Sequence, residues 1–254
     1  MVSPPRTLPP LPLWKALLLF AGTSIPIYLA VYYGIPTLQA RGYTFLTSYL
    51  ICFYPTFVAI FILAIALYWR EGNPLTWEAF RSRYRLRSIA GREWLWTLGL
   101  LVFSISASLL LFPTARWLAS LPAFAPPAHL PPELNPLKAS IPNTFMATSV
   151  SRTWGYALAY FVGWLFNILG EELLWRGFML PRQEVSYGRF AWLIQGLLWT
   201  AWHIFWKWNL LALLPITLGL PFVVQKTKNT TIGIVAHGLA NLIPFLALVY
   251  FIAS

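Results

Sequence analysis

Seven stretches of this chain are apolar enough and long enough to cross a bilayer, and they decide what it can fold into. They run over about 14–34, 44–69, 94–118, 153–180, 188–206, 208–225 and 230–252, each near the roughly 20 residues that a span requires. Hydrocarbon holds no water to pair backbone N–H and C=O groups, so such stretches close their hydrogen bonds internally as helices. The expected fold is an all-α, polytopic transmembrane helix bundle of about seven spans, with residues 1–254 as a single transmembrane domain. The weakest of the seven is 208–225, which Pro215 and Pro221 interrupt.

Composition excludes the soluble alternative. Hydrophobic residues make up 58% and charged residues 10%, against about 25% charged in a soluble domain. A net charge of +11 raises the question of nucleic acid, but no stacking platform or basic face accompanies it. The partners expected are the lipid bilayer and a membrane-associated protein or peptide, with no nucleic acid. The single Cys52 excludes an intrachain disulfide. The first apolar stretch lacks a small-residue cleavage site and is expected to remain as a span.

Basic residues set the orientation. With the N-terminus inside, the inner segments hold twelve Lys and Arg and the outer ones five, which favours a cytoplasmic N-terminus. The localisation expected is the plasma (inner) membrane. Trp14, Tyr68, Trp69, Trp94, Trp206, Trp208 and Tyr250 fall where interfacial anchors belong. Residues 70–93 carry Arg81, Arg83, Arg85 and Arg87, read first as a segment held by anionic headgroups and second as a substrate-docking patch. Residues 119–143 hold seven of the 21 prolines, read as a stiff extended loop or as a cap over a cavity mouth.

The chain has no Asp and seven Glu, so a carboxylate inside an apolar run needs a reason. Glu171 and Glu172 are adjacent in the fourth stretch, Asn167-Ile-Leu-Gly-Glu171-Glu172-Leu-Leu-Trp-Arg176. Ionisable groups at such depth face a bundle interior or a wet cavity. On an α-helix Glu172 and Arg176 share a face and can pair. Glu171 lies about 100° round the helix, without that cation. One acid is then neutralised, and the other is free for proton chemistry. His203 follows Trp199 by four residues in the fifth stretch, and His237 precedes Asn241 by four in the last. His129 sits in the Pro-rich loop and is taken as incidental. At 1.5 Å rise per residue, Glu171, His203, His237 and Asn241 lie roughly 14 to 28 Å from their inner loops. They can therefore meet at one level. Such a cluster stabilises a bundle poorly and suits activation of water.

These residues carry a resemblance. Glu171-Glu172-x-x-x-Arg176, Trp199-x-x-x-His203 and His237-x-x-x-Asn241, in that order, resemble the CPBP family. That family comprises the type II CAAX prenyl endopeptidases and bacterial relatives often called Abi or bacteriocin-immunity proteins. The likeness covers a catalytic core of residues 150–245, with Trp199 where the family usually has Phe. It implies a glutamate-type intramembrane endopeptidase acting on a membrane-associated, CAAX-type substrate. Glu171 with His203 would activate water, Arg176 would hold Glu172, and His237 with Asn241 would stabilise the oxyanion. Hydrolysis needs a base poised near neutral pH and fixed donors where negative charge develops.

Two other classes stay open on the residues alone. A zinc peptidase using Glu171, His203, His237 and a water is chemically adequate. It is disfavoured because the chain has no His-Glu-x-x-His pair and no Asp to orient a ligating histidine, so no cofactor is expected. The second is a non-enzymatic membrane scaffold or transporter, although no inverted repeat is visible.

Overall fold

The computed structural model describes residues 8–139 and 153–253, and these form helices and turns without a strand. Arg6 and Arg152 of the orientation tally, and the end of the Pro-rich stretch beyond residue 139, lie outside the described residues. The helices are α1 (Leu13–Leu29), α2 (Ile35–Ala40), α3 (Phe45–Arg70), α4 (Trp77–Arg83), α5 (Arg92–Leu111) and α6 (Pro113–Ser120). There follow α7 (Trp154–Glu171), α8 (Leu180–Tyr187), α9 (Ala191–Trp202), α10 (Leu210–Thr227), α11 (Thr230–Ala240) and α12 (Leu242–Ala253).

Boundaries follow local chemistry. Thr44 caps α3 by accepting a hydrogen bond from Thr47 N at 3.2 Å. Lys228 ends α10 in the left-handed region, and Asn229 then caps α11 by accepting from Thr231 N at 3.1 Å. A cap of this kind supplies a partner for one of the orphan N–H groups of a first turn.

Five helical runs are long and apolar enough to cross a membrane: Leu13–Ala40, Phe45–Arg70, Arg92–Ser120, Trp154–Thr227 and Thr230–Ala253. The difference from seven lies in the fourth run, whose 74 residues would extend about 110 Å if straight. That is more than three times the roughly 30 Å hydrocarbon core. The run breaks at Gly188, with φ 54°, and at Trp206, which is non-helical at φ −115° and ψ 48°. Its pieces α7–α8, α9 and α10 fall where three of the apolar stretches were drawn. α9 and α10 pack side by side, with Gly196 so close to α10 that a Cβ there would stand 2.7 Å from the Thr217 carbonyl oxygen.

Two expectations about the periphery are corrected. Trp14, Trp69, Trp94 and Tyr250 are exposed as anchors should be, but Tyr68 and Trp208 are buried. Both turn inward because each finds an acceptor there, Pro74 O for the Tyr68 hydroxyl and Phe124 O for the Trp208 indole. The arginines of 70–93 do not simply await headgroups. Arg83 and Arg182 pair with Glu71, Arg85 and Lys228 with Glu184, and Arg87 with Glu93. These pairs tie residues 70–93 to α8 and α8 to the end of α10, and Asn229, the cap of α11, completes the belt by donating to Glu93 at 3.1 Å. Tyr84, fully buried, plugs the same end and donates to Ala64 O at 2.6 Å.

At the other end the described part of the Pro-rich stretch folds over the helices. The Trp208 indole reaches Phe124 O at 2.6 Å, and His129 Nε2 lies 3.1 Å from Tyr32 O. Glu133, Leu134 and Pro136 wall a cavity of roughly 390 Å³ there. For the described residues 119–139 that position accords with the cap reading.

Candidate functional site

α7 carries the first acid on its last residue. Asn167, one helical turn earlier, donates to Glu171 Oε1 at 2.6 Å, and the Trp199 indole N–H donates to Oε2 at 2.9 Å. Glu171 is buried, yet it lines a cavity of roughly 220 Å³ shared with His203, His237 and Asn241. Asn167 and the Trp199 N–H are the residues that sequence reasoning missed. The four-residue spacing from Asn167 to Glu171 was a signal for the first. Nothing in the sequence announced the second, because Trp199 reads simply as an aromatic.

Beyond Glu171 the helix widens. Residues Glu172–Met179 form a π-helix, so the expectation of regular α-helical spacing through Arg176 is corrected. Two features accompany the wide turn. Pro181 has no N–H to offer the carbonyl of Gly177 four residues back, and Arg83 Nη1 donates to that carbonyl instead, at 3.0 Å. Wide turns of this kind are frequent at functional sites.

The pairing of Glu172 with Arg176 survives the change. Arg176 Nη1 lies 3.1 Å from Glu172 Oε1, both side chains being fully buried. The two are close as charges, but none of the guanidinium nitrogens is aligned for a hydrogen bond. The guanidinium instead sits over Trp199, its Cζ 3.6 Å from the ring centroid. A desolvated cation over an indole is stabilised by about 2 kcal/mol. Glu172 Oε1 also accepts from His237 Nδ1 at 2.9 Å. Glu172 Oε2 lies where a Cβ on residue 233 would stand, so α11 approaches this carboxylate through Gly233.

The two histidines differ in what their rings have left to offer. His203 caps the end of α9, and its Nδ1 lies 2.8 Å from the Trp199 carbonyl oxygen. A carbonyl only accepts, so Nδ1 carries the hydrogen and Nε2 is left as an acceptor. His237 gives its Nδ1 hydrogen to Glu172, and Asn241 Nδ2 donates to its Nε2 at 3.1 Å. Neither nitrogen of His237 presents a hydrogen to the cavity in this arrangement. The Asn241 amide also approaches Asn167 Oδ1 at 3.5 Å. Among the described residues no three His, Cys or Glu side chains group as a metal site.

Each residue named from the sequence is thus in one neighbourhood, with Trp199 touching four of them. It donates to Glu171, accepts from His203, underlies Arg176 and meets His237 edge-to-face, 5.2 Å between ring centroids. The family model of type II CAAX prenyl endopeptidase Rce1-like proteins matches residues 153–243. This segment is an Rce1-like domain. No curated protein and no solved structure matches the chain. The Rce1-like domain opens one residue before α7 and closes just after Asn241, so it contains every residue of the cavity cluster named above. Helices α1 to α6 precede it. The matched family is one of CAAX-type proteases, and the several apolar helices make the chain an integral membrane protein.

Proposed function

We propose that the protein is an intramembrane endopeptidase that uses a glutamate and a histidine, without a metal, to activate water. The observation that carries this is the state of Glu171 and His203, which line one cavity. Each oxygen of Glu171 accepts one neutral donor, and a carboxylate has about four acceptor positions, so lone pairs remain for a water. His203, whose Nε2 is an acceptor, lines the same cavity. A water held between them gives a proton to Glu171 while its oxygen attacks the scissile carbonyl carbon. The carboxyl then passes that proton to the departing amine as the C–N bond breaks. His237, itself held by Glu172, orients Asn241 through one amide hydrogen, and the other, only weakly held by Asn167 Oδ1 at 3.5 Å, turns to stabilise the oxyanion.

Trp199 in this reading is a positioning residue. Its N–H fixes the carboxylate, its carbonyl fixes the His203 tautomer, and its ring accommodates the Arg176 cation. Metal-free chemistry is supported by His237, whose two nitrogens are both engaged and leave no lone pair for zinc. The substrate proposed is a membrane-associated, CAAX-type peptide. It enters from the Pro-rich end, where the roughly 390 Å³ cavity shares Tyr49, Phe53, Tyr160, Trp206 and Pro244 with the site cavity. The loops alternate between two ends of the bundle, which supports seven crossings. The N-terminus and the ion-pair belt then lie on the cytoplasmic side of the plasma membrane.

The test is cleavage of a lipid-anchored reporter peptide by purified protein in proteoliposomes, with EDTA or phenanthroline added and zinc measured by elemental analysis. Cleavage should persist without stoichiometric zinc. One zinc per chain, lost together with activity in both His203→Ala and His237→Ala, would replace this reading with a zinc peptidase. A cellular effect that survives Glu171→Ala would instead favour a non-enzymatic role.

A further inference from the structure

α5 and α10 run beside each other on the surface of the bundle and leave a groove between them. Its walls recur at helical spacing, Leu95, Trp96, Gly99 and Phe103 from α5 and Gly219 and Phe222 from α10. The groove has a volume of roughly 850 Å³, several times that of the catalytic cavity. From Arg92 to Phe103 it extends about 16 Å along α5. The space beside Gly99 is open, since a Cβ there would meet nothing within 4 Å.

One end of this apolar groove is cationic. Arg92 starts α5, Lys226 lies in the last turn of α10, and both line the groove at the end that bears the ion-pair belt. The contrast with their neighbours is informative. Arg83, Arg85, Arg87, Arg182 and Lys228 all have glutamate partners, whereas among the described residues Arg92 and Lys226 have none. Glu93, next to Arg92, is already engaged by Arg87 and Asn229. Lys226 lies over the Trp96 ring at 5.1 Å, which holds its ammonium at the groove mouth.

We infer that this groove is a binding site for one anionic phospholipid, with an acyl chain along α5 and α10 and the phosphate between Arg92 and Lys226. Charge complementarity selects this occupant. A neutral lipid would leave two cations uncompensated over an apolar slot, and a free phosphate would leave the slot empty. Basic pockets at helix ends facing the cytoplasm are suited to anionic headgroups.

The test is native mass spectrometry and thermal unfolding of the purified full chain with phosphatidylglycerol or phosphatidylcholine of matched acyl chains. Wild-type protein should retain phosphatidylglycerol in preference by roughly tenfold or more, as two cations near a headgroup imply, and unfold at higher temperature with it. The preference should vanish in Arg92→Gln/Lys226→Gln. A second variant, Gly99→Phe, adds its ring to open space and should exclude the lipid without harm to the fold. Equal retention of the two lipids overturns the inference, as does undiminished phosphatidylglycerol binding by Gly99→Phe. So does an equal thermal shift from inorganic phosphate. Retention of a prenylated peptide in place of phosphatidylglycerol, abolished by Gly99→Phe, would assign the groove to substrate instead.

Discussion

At the belt end of the bundle Glu71 collects hydrogen bonds from Arg83, Arg182 and Asn73, while at the cavity Glu171 collects two from neutral donors, Asn167 and Trp199. The belt supplies more charge than its carboxylates need, two cations each for Glu71 and Glu184. The interior supplies less, since Glu172 has one oxygen with no hydrogen-bond partner and Arg176 has three such nitrogens. The difference teaches which carboxylates hold the protein together and which are kept available. A saturated ion pair at the surface fixes loops to helix ends. A carboxylate in hydrocarbon with only neutral donors is costly to keep, and Glu171 is the one to which the proposed reaction gives a use.

Glu171→Gln is the sharpest way to break the contrast. It removes a general base but keeps the shape and an acceptor, so proteolysis should fall by about 10²–10⁴ with thermal stability close to wild type. Reporter cleavage in proteoliposomes measures the first and thermal unfolding the second. Activity within about tenfold of wild type would end the base assignment.

Arg176→Ala should reverse the balance and injure the fold. Loss of one partner leaves Glu172 charged and buried, at about 3–5 kcal/mol. A variant expressed and heat-stable as the wild type would show that Glu172–Arg176 is not a buried ion pair.

Trp199→Phe separates the ring from its N–H. The phenyl face still underlies Arg176, whereas the hydrogen bond to Glu171 is lost. A hydrogen bond to a charged group corresponds to roughly ten- to a hundredfold in rate, expected in kcat with KM little changed. An unaltered kcat would remove Trp199 from the positioning role.

The smallest effect belongs to the belt. Burial pushes the Glu71 carboxyl up, but donation from Arg83, Arg182 and Asn73 outweighs it and holds the group below its ordinary value of 4.5. The folded state thus favours the ionised form. The stabilisation is present at neutral pH and fades as pH falls through 4.5 toward the lowered value. Between neutral pH and that acid range, wild type should lose more stability than Glu71→Gln does, read as the melting-temperature difference against pH. Parallel curves would mean that the belt does not depend on the Glu71 charge.

The residues legible in the sequence were those whose neighbours are local. Glu172 with Arg176 and His237 with Asn241 are four apart, and helical geometry brings such pairs together whatever the rest of the chain does. The apolar stretches likewise declared helices, because nothing else satisfies a backbone in lipid. The belt was not legible. Glu71 meets Arg182 and Glu184 meets Arg85 across about a hundred residues, and a row of arginines reads the same whether it faces headgroups or glutamates.

The sequence alone determined the class of fold, the order of the polar helices and the identity of the interior acids, since each follows from hydrophobicity or from spacing within one helix. Tertiary structure decided what those acids are. Trp199 becomes a donor to Glu171 only when α9 lies against α7, and Gly233 makes room for Glu172 only when α11 closes on both. The unpaired cations beside the α5–α10 groove belong to the same category. They depend on which side chains arrive from distant helices, and no local pattern encodes that.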